Sequence, residues 1–304
     1  MPTWPSVDVV VPTCDRPEFL RQAVASIRAQ DYRGPLSVTV VVDGQPPDRS
    51  LADGGPVPVR VLVNERKPGL AGTRNTGILA ATSELVAFCD DDDRWLPGKL
   101  ARQVTEFRAE PGAEFATTSI VVEFGDARSP RTAGRGRVDH AHLLRSRMAM
   151  LHSSTFLAAR SALVDGIGLV AEDAPGGQNE DWDLLLRASR RRPIVHCDEP
   201  LVAVRWGRTS LFAAQWETKI AGLEWMLDRH PEIRGSPVGL ARVYGQIAFA
   251  HAALGRRGPA VRWAWRSARV RPREPRGYLA VAVACRLTSS DAVLHRLHRR
   301  GHGI

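Results

Sequence analysis

Short apolar runs recur along the N-terminal third of the chain, and polar or acidic residues follow each of them. The runs are Val7 to Val11, Val38 to Val42, Val57 to Asn64 and Glu84 to Phe88. Continuous β-branched runs of this length are typical of strands that are buried on both faces of a parallel sheet. Helical spacing of apolar residues begins at Arg16-Pro17-Glu18, and 72–81 has the composition of a second helix. This alternation predicts parallel strands joined by right-handed helical crossovers.

The pattern changes in the second half of the chain, where loops and short strands precede a helical end. It predicts a mobile loop at Gly125 to Gly136, a strand at Met148 to Leu157, a loop at Glu172 to Gln178, a helix opened by Asn179-Glu180-Asp181, and short strands at Ile194 to Cys197 and Leu201 to Arg205. From Gln215 onward the chain is predicted to be helical. We therefore expect an α/β fold, with a mostly parallel sheet flanked by helices in residues 1–214 and an α-helical, basic C-terminal extension in 215–304.

Length and composition limit the class of protein. The 304 residues with 43% hydrophobic content suffice for one large α/β domain or two smaller ones. The N-terminal sequence has no basic region ahead of its apolar run, so we expect no signal peptide, and the longest apolar candidate for a membrane span stops at Arg286. Four scattered cysteines without a CxxC pair predict reduced thiols in a cytoplasmic protein rather than a zinc site or a disulfide framework.

The formal charge of +9 is concentrated at the C-terminal end of the chain. From Gly235 onward thirteen arginines face only Glu274 and Asp291, a balance of +11, which leaves about −2 for the remainder. A nucleic-acid-binding surface on the main domain is therefore not expected.

The most informative polar cluster is a run of four aspartates, Asp90 to Asp93, directly after the predicted strand at Glu84 to Phe88. Buried carboxylates repel one another, so such a cluster at a strand end requires a compensating cation. Oxygen ligands in this number suit Mg²⁺ or Mn²⁺, which usually bring a substrate phosphate with them. Thr13 and Asp43 also follow predicted strands, and ligands bind at the carboxyl ends of parallel strands. The three clusters together predict one site, and a solvated acidic turn is the alternative for the aspartates.

A second polar feature is Gly69-Leu70-Ala71-Gly72, which precedes Arg74 at the start of the second predicted helix. Glycines allow the backbone to approach a ligand, and a helix N-terminus with an arginine is suited to an anion. The spacing is not GxGxxG and no GK[ST] follows, which excludes the Rossmann dinucleotide-binding and P-loop classes here. An ordinary surface arginine is the alternative for Arg74.

Six segments in sequence order resemble the family 2 glycosyltransferases with the GT-A fold. They are VVVPTCDRPEFL (9–20), VVDG (41–44), GLAGTRNTG (69–77), FCDDDDRWLPGKL (88–100), HSS (152–154) and NEDWDLLLR (179–187). The resemblance covers roughly residues 6 to 210. It implies a Rossmann-like GT-A domain with a nucleotide-sugar-binding half at about 1–110 and an acceptor half at 111–214. It also implies metal-dependent, inverting transfer of a sugar from a nucleotide-diphosphate sugar to an acceptor hydroxyl.

The resemblance also implies roles for individual residues. Asp92 is the expected direct metal ligand, with Asp90 on the same side of an extended segment and Mn²⁺ or Mg²⁺ as the ion. Asp43 is expected to accept a hydrogen bond from the N–H of the nucleotide base, although closing its own turn is the alternative. The residues expected to contact the nucleotide sugar are Pro12, Thr13, Asp15, Asp43, Gly72, Arg74, Asp90 and Asp91.

The acid pair Glu180-Asp181 is expected to contain the catalytic base, with Asp181 as the first choice and Glu180 as the second. Inverting transfer requires a base on the acceptor side, which takes the hydroxyl proton as the oxygen attacks C1. Capping of the following helix is the alternative, because acids favour a helix N-terminus. His152 is expected to contact the donor sugar or the acceptor, or else to be a core histidine. Many family members have a histidine just after the arginine at position 205, where this chain has Trp206-Gly207, so a third protein ligand for the metal is not expected from that segment.

The C-terminal region is expected to contain two helices with a glycine turn between them, similar to a single tetratricopeptide-like hairpin. We expect this region to pack against the main domain. Alternatively, its basic surface contacts the inner leaflet of an anionic membrane, where a lipid-linked acceptor would lie. The acceptor itself is a sugar, a lipid-linked molecule or another small molecule. The alternative functions are a sugar-phosphate nucleotidyltransferase, which would need a basic Gly-rich loop after the first strand, and a non-catalytic nucleotide-sugar-binding scaffold.

Overall fold

The described residues of the computed structural model, 4–52, 54–206 and 215–299, form one mixed sheet of ten strands with helices on both faces. The strands are β1 (Val7–Thr13), β2 (Leu36–Val42), β3 (Val59–Val63), β4 (Leu85–Phe88), β5 (Arg94–Trp95), β6 (Phe115–Phe124), β7 (Ala127–Arg131), β8 (Arg137–Val138), β9 (Leu157–Ala159) and β10 (Ile194–Arg205).

The strand order is β3-β2-β1-β4-β9-β6-β10-β5, with β7 beside β6 and β8 beside β10. The four strands that come first in the chain pair in parallel, as their largely apolar sequences predict. Beyond β4 the sheet is mixed, because β9 is antiparallel to both β4 and β6, whereas β6 and β10 are parallel. The predicted α/β fold is confirmed.

Helices cover the two faces of the sheet and continue into the C-terminal region. They are α1 (Pro17–Arg28), α2 (Leu70–Ala80), α3 (Lys99–Ala109), α4 (His140–Arg145), α5 (Arg160–Asp165), α6 (Glu180–Arg191), α7 (Trp216–Arg229), α8 (Pro237–Ala253), α9 (Arg257–Val270), α10 (Pro275–Ala284) and α11 (Ser290–His298). Val9 and Val11 belong to a core that includes Leu20 of α1, whereas Val10 belongs to a core that includes Ile78 of α2. Both faces of β1 are therefore buried, which explains why Asp8 is the only polar residue between Val7 and Val11.

The C-terminal helices share the core of the sheet domain. Leu223 and Met226 of α7 and Ile247 of α8 belong to the same core cluster as Val10, and a smaller cluster joins α8, α9 and α10. Gly255, with φ +73°, lies between α8 and α9, as the expected hairpin requires. Among the described residues no helix is both long enough and apolar enough to cross a membrane. The predicted boundary between 214 and 215 adjoins a stretch, 207–214, that lies outside the described residues, and so does Gly207.

Three sequence predictions for the second half of the chain were wrong. The segment predicted as a mobile loop at Gly125 to Gly136 contains β7, which forms a hairpin with β6. The strand predicted at Met148 to Leu157 is a turn followed by a short 3₁₀ helix, Ser153–Thr155, and only β9 is extended there. The two short strands predicted at 194–205 form the single strand β10, with an irregular register around Pro200. Polar edge strands such as β7 lack the apolar alternation by which sequence patterns identify a strand.

Candidate active site

A cleft of about 460 Å³ opens at the carboxyl-terminal edge of the parallel strands. Thr13 and Asp43 line it from the strand ends, and Gly176 and Gly177 line it from the loop that precedes α6. Of the residues expected to bind the nucleotide sugar, those lining the cleft are Pro12, Thr13, Asp43, Gly72 and Asp91. Asp15 is exposed, with φ +54°, and is not one of the lining residues among those described. The cleft therefore joins the predicted strand-end clusters into one concave surface.

Asp43 organises one wall of this cleft. One carboxylate oxygen accepts from the Asn64 amide at 2.7 Å, and the other accepts from the Gly69 backbone N–H at 2.7 Å. Asp43 thus fixes the loop that leads into α2. Gly72 is required for the same local packing, because a Cβ there would lie 2.0 Å from the backbone oxygen of Lys67.

The four aspartates do not form the extended segment predicted for them. The chain turns at Asp91 and Asp92, and the Asp93 backbone N–H donates to the Asp90 carbonyl at 3.1 Å. Alternation therefore does not hold in this run, and the aspartates face different partners. Asp91 accepts from the Thr13 hydroxyl at 2.7 Å, whereas Asp92 pairs with Arg16 at 2.7 Å and keeps 30% of its side chain exposed. Burial, followed by the negative charge of Asp92, raises the pKa of Asp91 to about 6 despite the Thr13 hydrogen bond.

Arg74 connects the aspartate run to the acid pair of α6. It is 2% exposed, and its two terminal nitrogens donate to Asp90 at 2.7 Å and to Glu180 at 2.9 Å. Burial alone would raise the pKa of Asp90, but Arg74 and then His152 outweigh it, and the pKa lies below its usual value. Arg74 is not among the described residues that line the cleft. Its direct contact with a diphosphate stays a prediction.

Asp93 belongs to the run that was expected to bind a cation, but neither Asp93 nor His152 was assigned individually as a metal ligand. Ligand atoms of Asp90, Asp93 and His152 all lie within 4.8 Å of one another. Asp93 is 1% exposed and accepts from the Ser154 hydroxyl at 2.5 Å. Burial and the neighbouring charges of Asp92 and Asp90 raise its pKa well above the usual value, so the negative charge here is only partly compensated. Two carboxylates and an imidazole suit a divalent cation such as Mn²⁺, and these residues fit the expected metal.

The short helix Ser153–Thr155 is held in place by two side chains from the segment that follows the aspartates in the chain. The Trp95 indole N–H donates to the Ser154 carbonyl at 3.0 Å, and the Gln103 amide donates to the Thr155 carbonyl at 2.7 Å. The fully buried ammonium group of Lys99 lies 3.5 Å from the centre of the Trp95 ring, and burial lowers its pKa to about 7. These contacts fix the turn that presents His152 and its neighbours to the aspartates.

Glu180 and Asp181 begin α6 with both carboxylates buried. Arg74 binds Glu180, and Arg147, whose side chain is 48% exposed, binds Asp181. Burial and the charge of Asp181 raise the pKa of Glu180 to about 7. Burial acts in the same direction on Asp181, but Arg147 outweighs it and the pKa lies below its usual value. The environments of the two carboxylates therefore shift their pKa values in opposite directions, upward for Glu180 and downward for Asp181.

Comparison with known proteins decides the family. The sequence model of the family "Glycosyl transferase family 2" matches residues 8–165, which is slightly more than half of the chain. The chain belongs to glycosyl transferase family 2. The matched segment contains the cleft-lining strand ends, the four aspartates and His152. Glu180 and Asp181 lie beyond it, so the family match does not include the acid pair.

One curated relative and two solved structures illustrate what the chain is similar to in sequence and in fold. The chain is 29% identical over 137 residues to the GalNAc(5)-diNAcBac-PP-undecaprenol beta-1,3-glucosyltransferase of Campylobacter jejuni, covering 43% of each chain. The fold is similar to that of S. aureus TarS 1-349 in complex with UDP-GlcNAc, with a TM-score of 0.62, 16% identity, and coverage of 98% of this chain and 92% of TarS. It is also similar to the mannosyltransferase PcManGT from Pyrobaculum calidifontis in complex with GDP-Man and Mn²⁺, with a TM-score of 0.52, 18% identity, and coverage of 96% and 79%.

Proposed function

We propose that this chain transfers a glycosyl residue from a nucleotide-diphosphate sugar to an acceptor hydroxyl, with inversion at C1 and with a divalent cation. The observation that supports this most is the position of Arg74. Arg74 joins the aspartate run after β4 to the acid pair at the start of α6. The residues proposed to bind the donor and those proposed as the general base therefore belong to one site. The solved complexes of similar fold, with UDP-GlcNAc in one and with GDP-Man and Mn²⁺ in the other, are in keeping with this donor class.

In this proposal the donor nucleotide occupies the cleft. The nucleobase lies against Asp43, and the ribose and phosphates extend past Thr13 and Asp91. The donor sugar then reaches the aspartate run. The loop that begins after α5 forms the facing wall, where Glu172 is tied to Arg66 at 2.5 Å. A nucleotide that is held between two such walls is oriented by many weak contacts, which lowers the entropic cost of reaching the transition state.

For the metal we propose Mn²⁺ or Mg²⁺ held by Asp90 and Asp92, with Asp90, Asp93 and His152 as the competing set. Asp92 is more exposed than Asp93, and its partner is Arg16. Asp93 is already bound by Ser154 and by the backbone N–H of Arg205, at 3.3 Å. A divalent cation at this place would offset the negative charge that develops on the leaving nucleotide diphosphate.

We assign the general base to Asp181. Its pKa lies below the usual value, which keeps it ionised at neutral pH. The carboxylate accepts the acceptor hydroxyl proton while the hydroxyl oxygen bonds to C1 and the bond from C1 to the nucleotide diphosphate breaks. Arg147 holds the carboxylate in position. Glu180 is the alternative base, since a pKa of about 7 suits proton transfer near neutral pH.

We propose a lipid-linked acceptor at a membrane surface, in line with the undecaprenyl-linked acceptor in the name of the Campylobacter jejuni relative. The outer face of α9 combines Val261 and Trp265, 48% and 60% exposed, with the exposed arginines Arg262, Arg266 and Arg269. A tryptophan flanked by arginines suits the interface of an anionic bilayer. Action at the inner face of the membrane follows from this proposal, and the cytoplasmic location inferred from the cysteines stays a prediction.

The experiment that tests the proposed function is a turnover assay on a panel of nucleotide-diphosphate sugars with Mn²⁺ or with EDTA. Release of a nucleoside diphosphate supports glycosyl transfer or the hydrolysis that accompanies it. Release of pyrophosphate or a sugar 1-phosphate supports a nucleotidyltransferase. Binding of donors without any turnover supports a scaffold.

A further inference from the structure

One wall of the nucleotide cleft is a segment that begins as neither helix nor strand. We call it the cleft-wall loop, residues 166–179, which joins α5 to α6. The residues of this loop that line the cleft are Ala171, Glu172, Ala174, Gly176 and Gly177. Irregular backbone cannot satisfy its polar groups through a helix or a sheet, so other groups must bind them. Here side chains from α2 and α6 bind the part of the loop that precedes the lining residues.

Arg187 of α6 binds the first part of the cleft-wall loop. Its guanidinium donates to three successive carbonyls, those of Ile167 at 2.5 Å, Gly168 at 3.1 Å and Leu169 at 2.8 Å. Successive carbonyls alternate in direction along an extended chain, so their convergence on one group requires a bent backbone. Gly168 allows this bend with φ +88°, and a Cβ there would lie 3.2 Å from a guanidinium nitrogen. A single side chain therefore fixes the start of the loop.

Asp183, one turn before Arg187 on α6, orients this guanidinium. Asp183 is fully buried, and one of its oxygens accepts from two nitrogens of Arg187, at 3.0 and 2.8 Å. Its other oxygen binds Arg229 at 2.7 Å and His230 at 2.9 Å, at the end of α7. Burial would raise the Asp183 pKa, but the hydrogen bond with His230 and the charge of Arg187 outweigh it, and the pKa lies below its usual value. An ionised carboxylate thus holds Arg187 in place.

Asn75 of α2 binds the next residue of the cleft-wall loop. Its amide nitrogen donates to the Val170 carbonyl at 2.9 Å, and its amide oxygen accepts from the Val170 N–H at 2.9 Å. The same nitrogen donates at 2.7 Å to Glu172, which lines the cleft. Asn75 is 1% exposed, so the loss of its side chain would leave buried polar groups without a partner. Two side chains therefore bind four successive residues, 167–170, directly before the cleft-lining part of the loop.

We propose that Asn75 and Arg187 are positioning residues for the donor nucleotide. Neither belongs to the described residues that line the cleft, and they act by holding residues 167–170 in the conformation that forms its wall. The proposal rests on the proposed function, because it takes the cleft as the nucleotide site. A wall that is already in place reduces the entropy lost when the ligand binds. Loosening the loop therefore costs donor affinity more than it costs the chemical step, since Asp181 belongs to α6 itself.

Two single variants test the two sets of contacts separately. Arg187→Lys keeps a positive charge near Asp183, but it replaces a planar fork with one ammonium group, which cannot serve the carboxylate and three carbonyls together. Asn75→Ala removes both hydrogen bonds to Val170. The control is Ile27→Val, which removes one buried methyl group from the core on the other face of the sheet.

Hydrogen exchange of the nucleotide-free protein, followed by mass spectrometry, measures the loop directly. We expect the backbone amides of residues 168–178 to exchange about tenfold faster or more in Arg187→Lys and in Asn75→Ala, because the loop opens locally. The amides of β1 should keep their wild-type rates, and Ile27→Val should show no selective change in the loop. Exchange that is faster throughout the chain, or that is unchanged in the loop, overturns the proposal, because the contacts then do not hold the loop specifically.

Calorimetry with UDP and with GDP, each with Mn²⁺, measures the consequence for binding. In both variants we expect Kd for the nucleotide that the wild-type protein binds, and KM for the corresponding donor, to rise about tenfold, with a much smaller change in kcat. The double variant should lose less affinity than the product of the single losses, because both side chains hold one stretch of backbone. An unchanged Kd, or a loss confined to kcat, overturns the positioning role. Failure of the wild-type protein to bind either nucleotide contradicts the proposed function itself, whereas equal binding by wild type and variants contradicts only this inference.

Discussion

Arg74 and Asp90 are joined at 2.7 Å across the edge of the sheet, although Arg74 belongs to α2 and Asp90 follows β4. Arg74 uses its other terminal nitrogen for Glu180, so a single buried cation balances two carboxylates from different parts of the chain. Removing one partner of a buried ion pair leaves a charge without compensation, and that loss exceeds the value of the pair itself.

The first prediction concerns this pair. Arg74→Met should lower the free energy of unfolding by about 3–5 kcal/mol at neutral pH, because Asp90 and Glu180 lose their cation. Urea denaturation measures the change. The control is Arg102→Gln, which removes an exposed pair with Glu199 and should cost less than about 1 kcal/mol. A loss in Arg74→Met no larger than that in the control would contradict the bridging role.

The second prediction separates the two candidate bases by pH. A base loses activity as pH falls through its pKa, so Asp181, whose pKa is below its usual value, predicts a kcat that is flat from pH 8 down to about pH 5. If Glu180 were the base, kcat at saturating donor would fall below about pH 7, the value to which its pKa is raised. Asp181→Asn should lower kcat about a hundredfold or more without weakening donor binding. Full activity in Asp181→Asn, with Glu180→Gln inactive, would reverse the assignment.

The third prediction tests the metal ligands. Asp92→Asn should abolish the Mn²⁺-dependent part of nucleoside diphosphate binding, because Asp92 exchanges Arg16 for the cation. Asp93→Asn keeps a hydrogen-bonding group beside Ser154 and should reduce that binding by less. Calorimetry of UDP binding with Mn²⁺ and with EDTA gives both numbers. The reverse order, with Asp93→Asn the more damaging, would favour the set of Asp90, Asp93 and His152.

The fourth prediction concerns the outer face of α9. Replacing Trp265 with serine, or Arg262, Arg266 and Arg269 with glutamine, should weaken co-sedimentation with anionic vesicles. The arginine effect should diminish with added salt, because exposed charges are screened within about 10 Å at 0.1 M. Donor hydrolysis should stay at the wild-type rate, since these side chains lie outside the cleft. Negligible binding of the wild-type protein to such vesicles would remove the membrane contact from the account.

The features predicted correctly from sequence are those that local pattern determines. The apolar runs identify β1, β2 and β4, and parallel pairing brings Thr13, Asp43 and the aspartate run to one edge. The start of α6 at Glu180 was also predicted correctly, because the preceding Gly-rich loop ends where the apolar periodicity begins.

The features that were missed depend on contacts between distant parts of the chain. The apolar residues around His152 suggested a strand, but hydrogen bonds from Trp95 and Gln103 hold a 3₁₀ turn there. The turn at Asp91 and Asp92 similarly follows from Thr13 and Arg16, about 75 residues away. The spacing of Arg74, Asp90 and Glu180 along the sequence does not indicate that they pair. This pairing nevertheless brings the aspartate run and the acid pair into one site.

Metal-dependent, inverting transfer with Asp181 as the base is tested most directly on the panel of nucleotide-diphosphate sugars. Wild-type protein and Asp181→Asn are each assayed with Mn²⁺ and with EDTA, and NMR gives the anomeric configuration of the product. We expect one nucleotide-diphosphate sugar to yield a nucleoside diphosphate and a glycoside of inverted configuration. We also expect EDTA to abolish the reaction, and Asp181→Asn to bind the donor without turning it over. Release of pyrophosphate, retention of configuration, or full activity in EDTA would contradict this mechanism.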